Sequence, residues 1–170
     1  MYVNWARGRQ LDPEANALGL KQALDSYLAL GNKSGAPAFY GLLAELQAAA
    51  CSYDSALAQV INGLSLAGET GGHFTDPYLH RLRGEILLKR NYADTVPAEE
   101  AFKTAIAIAK DQGARGYELL ASLSLAKLYQ STGRAIDARS VLAPALNGLA
   151  PTPEMPEIAE AHALLIGLGA

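Results

Sequence analysis

One spacing of side chains recurs four times along this chain and constrains its fold more than any other feature. Ala126 is followed after twelve residues by Ala138, four later by Leu142, three later by Ala145, and then by Leu146. The same intervals run through Ala44, Ala56, Val60, Gly63 and Leu64, and through Asn4, Asn16, Leu20, Ala23 and Leu24. A further copy reads Gly84, Ala98, Phe102, Ala105 and Ile106, with the first interval stretched to fourteen. Its two extra residues fall in the loop 90–96, where an insertion costs little. Such a pattern describes two antiparallel helices whose small residues face each other, so that their backbones approach closely. A larger residue one turn on then fills the gap toward the next pair. A bulky side chain at Ala126 or Ala138 should cost about 1–3 kcal/mol by overpacking. Since each pair buries a face only against its neighbour, the copies should stack into a solenoid with a concave side.

Local punctuation agrees with helices throughout. Asp12 before Pro13 predicts a capped start and Gly31 an end, and Asp76-Pro77 predicts a second start of the same kind. Ser52 is placed to cap a helix beginning near Tyr53, Pro97 opens one ending at Gly113, and Gly133 separates the next two. The helices so defined cover roughly 1–9, 12–30, 36–50, 53–68, 77–90, 97–112, 116–132, 135–149 and 156–168. Ala138, Val141, Leu142, Ala145, Leu146 and Leu149 form one apolar stripe. Pro144 lies on its outer face and removes the backbone bond to the Ser140 carbonyl, which predicts a kink. Ala and Leu make up roughly a third of the 170 residues and β-branched residues are sparse, which favours helix. No window shows the two-residue alternation of a strand. Charged residues are only 18% of the chain, below the usual quarter, so neighbouring helices must cover much of the helical surface. The expected fold is all-α: a single domain, 1–170, forming a right-handed α-solenoid of about four helix–turn–helix units (1–30, 36–68, 77–112 and 116–149) plus a terminal helix, 156–168.

The small-residue spacing is the packing signature of the tetratricopeptide (TPR) repeat, a helix–turn–helix unit of about 34 residues. A narrower likeness is carried by Tyr78-Leu79-His80-Arg81-Leu82-Arg83-Gly84-Glu85-Ile86-Leu87-Leu88, by Ala105-Ile106-Ala107-Ile108-Ala109-Lys110-Asp111-Gln112-Gly113-Ala114, and by Glu118-Leu119-Leu120-Ala121-Ser122-Leu123-Ser124-Leu125-Ala126-Lys127-Leu128-Tyr129. Gly133-Arg134 and Ala138-Arg139 follow in register, and Leu42-Leu43-Ala44-Glu45 extends the agreement toward the N-terminus. These stretches resemble the C-terminal tetratricopeptide region of bacterial class III adenylate cyclases that also carry an AAA-type ATPase module, and of related ATPase-linked regulators. After Leu149 the sequence departs from that family. The resemblance implies an appended interaction or sensing module of a signalling protein, and it brings over no cyclase or ATPase residue. By the repeat spacing, the chain begins partway through the first helix of its first unit, as either a fragment of a longer parent or a degenerate first repeat. Tyr2 and Trp5 would then sit near an unfinished N-terminal edge, which is either capped or able to support a homodimer.

Composition narrows the function classes. A net charge of -3 with pI near 5.6 argues against the basic face that nucleic acid requires. No run approaches 18 apolar residues, so no membrane span is expected. Met1-Tyr2-Val3-Asn4-Trp5 lacks the layout of a signal peptide, and a single cysteine, Cys51, fits a reducing compartment; both point to a cytoplasmic protein.

Candidate chemistry is thin. Gly31-Asn32-Lys33-Ser34 lacks the adjacent Gly-Lys-Ser/Thr of a phosphate loop and the strand before it, and reads as a helix-ending loop. His73, His80 and His162 have no metal-ligand spacing. Cys51 has no His or Asp pattern near it and is expected to be a small buried or half-buried apolar residue. Gly71-Gly72-His73-Phe74 is expected to be the longer connection between units. No catalytic, cofactor-binding or metal-binding residue is therefore assigned, and no enzymatic activity is expected. The remaining candidate is a ladder on one helix, Arg81, Glu85 and Lys89, spaced four apart. It reads either as a solvated ion-pair series or, since first helices line the concave side, as part of a groove with Tyr78, flanked by Glu45 and by Lys127 and Gln130. Such a groove suits an extended or helical peptide. The Lys, Asn and Arg constellation of chaperone-binding repeats is missing, with Gly41 and Leu123 at the corresponding positions. The expected function is a non-catalytic scaffold that binds a protein or peptide. The alternative is a small-molecule-sensing module linked to a cyclase or ATPase.

Overall fold

The structure, a computed structural model, describes residues 12–169. Eight α-helices follow one another among them: α1 (Pro13–Ala29), α2 (Ala36–Ala49), α3 (Tyr53–Thr70), α4 (Asp76–Arg90), α5 (Val96–Asp111), α6 (Arg115–Ser131), α7 (Ala135–Leu146) and α8 (Pro156–Gly167). A short 3-10 turn, His73–Thr75, precedes α4. Among the described residues there is no strand, only an isolated bridge between Thr152 and Met155. The helix expected over 1–9, with Tyr2, Asn4 and Trp5, lies outside the described residues, as does the N-terminal edge proposed for dimerisation.

The helices pack in consecutive pairs, α2 with α3, α4 with α5 and α6 with α7, and each pair rests on the next, as an α-solenoid requires. The recurring residues explain the arrangement. Ala44, Ala126, Ala56, Ala98 and Ala138 are all fully buried, as are Val60, Phe102 and Leu142 at the following position. Gly84 holds the corresponding slot on α4, and a Cβ built there would lie 2.5 Å from Cε1 of Phe102. At Gly63 an added Cβ would press on Leu79, the Pro37 carbonyl and Tyr40 at 3.1–3.2 Å. The smallest side chains thus stand where helices cross most closely. The core accordingly divides into three clusters, centred on α1–α2, on α2–α4 and on α4–α8.

The helix ends share one device. Gly31, Gly71, Gly113 and Gly133 all have φ between 65° and 79°, and the next residue's N–H bonds back to a carbonyl five positions earlier, as in Ala114 to Ala109 at 2.8 Å and Arg134 to Tyr129 at 2.8 Å. This left-handed turn closes the last helical carbonyls. After α2 the slot belongs to Cys51, with φ 59°, and Ser52 N–H bonds to the Gln47 carbonyl at 2.8 Å. Cys51 is exposed, not the buried or half-buried residue expected, because the turn that ends α2 aims its side chain outward.

Three local expectations change in detail. Asp12 does cap α1, its Oδ1 accepting from Ala15 N–H at 3.0 Å. Asp76 instead begins α4 from within, and its Oδ2 meets His73 Nδ1 at 2.8 Å. Ser52 occupies the N-cap position of α3 without a side-chain capping bond. Pro144 does not kink a longer helix: α7 stops at Leu146, and Asn147 turns away with φ -58° and ψ 124°. Arg115 takes over the end, its Nη2 donating to the carbonyls of Ala145 at 3.1 Å and Asn147 at 2.9 Å.

One ion cluster ties α5, α6 and α7 together. Glu99 accepts from the Tyr129 hydroxyl at 2.9 Å and from Arg134 Nη1 at 2.7 Å, and pairs with Lys103 Nζ at 2.7 Å. Arg134 also lies 3.9 Å over the Tyr129 ring. Burial pushes the Glu99 carboxyl up, but hydrogen bonds from Lys103, Arg134 and Tyr129 outweigh it and hold the group at about 2, against an ordinary 4.5. Because the folded value lies below the unfolded one, this stabilisation is complete above pH 4.5 and drains away as pH falls toward 2. Glu99→Gln is expected to cost about 1–2 kcal/mol at neutral pH, after discounting for solvent screening, and to flatten the acid limb of the Tm profile. Thermal unfolding of both proteins across that pH range checks it.

Candidate functional site

The first helices of successive pairs, α2, α4 and α6, touch one another in a row, and α8 continues the row by packing on α6 and α7. A cleft of about 430 Å³ runs along these four helices. The sequence repeat places their same faces side by side, so residues far apart in the chain meet on one wall.

From α2 comes Glu45, which accepts a hydrogen bond from the Tyr78 hydroxyl at 3.0 Å. Burial and the adjacent Glu45 carboxylate push the Tyr78 hydroxyl above its ordinary value, so it remains a donor. The Tyr78 ring lies against Gly41, where any Cβ would strike it. Arg81, one turn along α4, stands 5.9 Å from the centroid of that ring and pairs with Glu85. Glu85 also accepts from Ser124 Oγ of α6 at 3.0 Å, which joins the two helices across the wall. At the far side Lys127 pairs with Glu160 of α8 at 2.7 Å, and Glu157 of α8 lines the same space.

Of the candidate residues, Glu45, Arg81, Glu85, Lys89 and Lys127 line this cleft, and Tyr78 supports it through Glu45. Gln130 is exposed on α6 and lines neither this cleft nor its neighbour. The ladder is only half formed. Arg81 and Glu85 pair, whereas Lys89 is exposed and makes no ion pair among the described residues. Gly41 underlies Tyr78, and Leu123 is buried in the wall.

Beside the polar cleft lies a second one of about 330 Å³, with Leu88, Tyr92 and Leu128 for walls, Phe102 at its base, and Lys89 and Lys127 shared with the first. Sequence reasoning missed its apolar residues, along with Ser124, Glu157 and Glu160. Ser124 was within reach, being three residues before Lys127 on the same helix. The α8 carboxylates would have followed from treating α8 as the next first helix.

The histidines lie elsewhere. His73 contacts Asp76, and burial draws the half-buried His80 below its ordinary value. Among the described residues no group of three His, Cys, Asp or Glu is arranged to hold a metal, and no helix is long and apolar enough to cross a membrane. No protein-family model, curated protein or solved structure matches this chain.

Proposed function

We propose that this chain is a tetratricopeptide-type module, a right-handed solenoid of about four units, whose α2–α4–α6–α8 cleft binds a segment of another protein. Its role is that of a non-catalytic scaffold or regulatory part of a cytoplasmic signalling protein. The observation that carries the reading is the convergence of Glu45, Arg81, Glu85, Lys89 and Lys127, from three helices, on one open cleft bearing both signs of charge. Such a wall offers an extended or helical peptide polar partners along its length without committing to a reaction. Arg81 and Lys127 come from the two middle helices of the wall, α4 and α6. Arg81→Glu combined with Lys127→Glu is expected to weaken binding of peptides selected from a displayed random library by about tenfold or more. Far-UV circular dichroism establishes that the double variant is folded. Unchanged affinity would overturn the assignment of the cleft.

A second reading, a small-molecule-sensing module linked to a cyclase or ATPase, draws on the cleft's volume of about 430 Å³, which lies within the range of small-ligand sites. The two readings separate by mass action, since whatever binds the folded state raises its Tm. A metabolite panel that stabilises the protein where selected peptides do not favours the sensor.

A further inference from the structure

We infer that the occupant of the cleft is an acidic peptide segment anchored by one large apolar side chain, which enters the second cleft beside it. The inference rests on the peptide-binding reading above and gives the ligand its chemistry. Leu88, Tyr92 and Leu128 make an apolar-walled recess over Phe102, directly continuous with the polar cleft through Glu85, Lys89, Ser124 and Lys127, which line both. Tyr92 is 62% exposed at its edge, an aromatic surface left uncovered in this chain. A buried aromatic or leucine anchor is the usual centre of such contacts.

Charge fixes the rest of the ligand. Two ammonium groups stand at the junction of the clefts, and they differ in what they already hold. Lys89 makes no ion pair among the described residues. Lys127 is held by Glu160 of α8 at 2.7 Å, with both side chains about half exposed. The one carboxylate common to both clefts, Glu85, is engaged by Arg81 and Ser124. An incoming carboxylate therefore meets an open cation at Lys89, and a second can replace Glu160 on Lys127. Around the apolar recess itself the only carboxylate among the described residues is Glu85, against Lys89 and Lys127, so a basic residue beside the anchor would have to break the two contacts of Glu85 first. Glu160 thus holds the acidic position on Lys127 in the free protein, and α8 marks one limit of the site.

The test uses fluorescence anisotropy with four labelled heptapeptides: a central tryptophan flanked by glutamates, the same peptide with lysines for glutamates, with serine for tryptophan, and with both changes. The glutamate–tryptophan peptide is expected to bind in the micromolar range, with each single change weakening it about tenfold. Lys89→Glu is expected to weaken it about tenfold without altering Tm, Lys89→Arg to retain it, and Tyr92→Ser to weaken it while leaving the charge dependence intact. Equal binding of the serine peptide, equal binding of the lysine peptide, or indifference to Lys89→Glu would each overturn the inference, as would free indole-3-propionate binding as tightly as the peptide. If library selection on the same protein returns cleft-binding peptides of other chemistry, the inference falls and the peptide-binding reading stands. If it returns none, both fall.

Discussion

Gly84→Val is expected to destabilise the protein by about 3 kcal/mol, which for 170 residues corresponds to a fall in Tm of about 6–12 °C. The added Cβ alone would sit 2.5–2.8 Å from three ring carbons of Phe102. That ring has no exposed surface, so it cannot swing aside without opening the α4–α5 crossing. The γ-methyls of valine enlarge the clash. Gly84→Ala probes the same contact with fewer atoms: alanine gains about 1 kcal/mol from helix propensity, yet the ring contact should still leave it less stable than wild type. The proof of cause is a double-mutant cycle. Phe102→Leu, which removes the ring, should cost much less in the Gly84→Ala background than alone. Gly68→Ala serves as control, since nothing lies within 4 Å of a Cβ there, and it is expected to stabilise by about 0.5–1 kcal/mol. Thermal melts of the set by circular dichroism decide the matter. A Gly84→Val protein as stable as wild type would mean that close approach of α4 and α5 is not what the small residue provides.

Arg115→Met is expected to be the most damaging change of a charged residue, at about 2–3 kcal/mol. Arg115 Nη1 lies 2.6 Å from Oε2 of Glu118, a carboxylate only 5% exposed, while its Nη2 closes the α7 terminus on two carbonyls. Its loss leaves a buried carboxylate with Lys110 at 3.9 Å as its nearest cation and strips the end of α7. Arg115→Lys should recover little, because an ammonium cannot reproduce the planar fork that serves the carboxylate and both carbonyls at once. Glu118→Gln, which keeps a hydrogen-bond acceptor without the charge, should cost less than Arg115→Met. Urea unfolding of the three variants measures the order, and an Arg115→Lys protein as stable as wild type would refute the shared-fork account.

The helices were legible because their grammar is local. Glycines that take left-handed turns, prolines at first turns and small residues at fixed intervals are written directly in the chain, and α2 through α6 begin and end within about two residues of where these signals place them. What remained hidden depends on the third dimension. The spacing sets Glu45 and Tyr78 on one groove but does not disclose the hydrogen bond between them, and it gave no role to Ser124, which bonds Glu85 from 39 positions on. Cys51 takes a conformation that its neighbours in the helix end dictate and its own chemistry disfavours. Pro144 misled for a different reason. A proline within an apolar stripe predicts a bend, but the helix ends two residues after it, and a guanidinium from α6 takes the carbonyls of Ala145 and Asn147 at that end. The contribution of α8 to the cleft was lost because the proline-rich link 151–156 breaks the repeat spacing just before it.

The three clusters of the core, and the running of the main helix contacts among the described residues to the next helix or the one after it, carry a consequence for motion. Such contacts close short stretches of chain, which favours fast folding. Opening, in turn, need not be all-or-none, because each joint between neighbouring clusters can part while the others hold. Amide hydrogens in α4 and α6, flanked by helices on both sides, should therefore exchange last. A partner lying across the joints would act as a splint, slowing exchange in helices that it never touches.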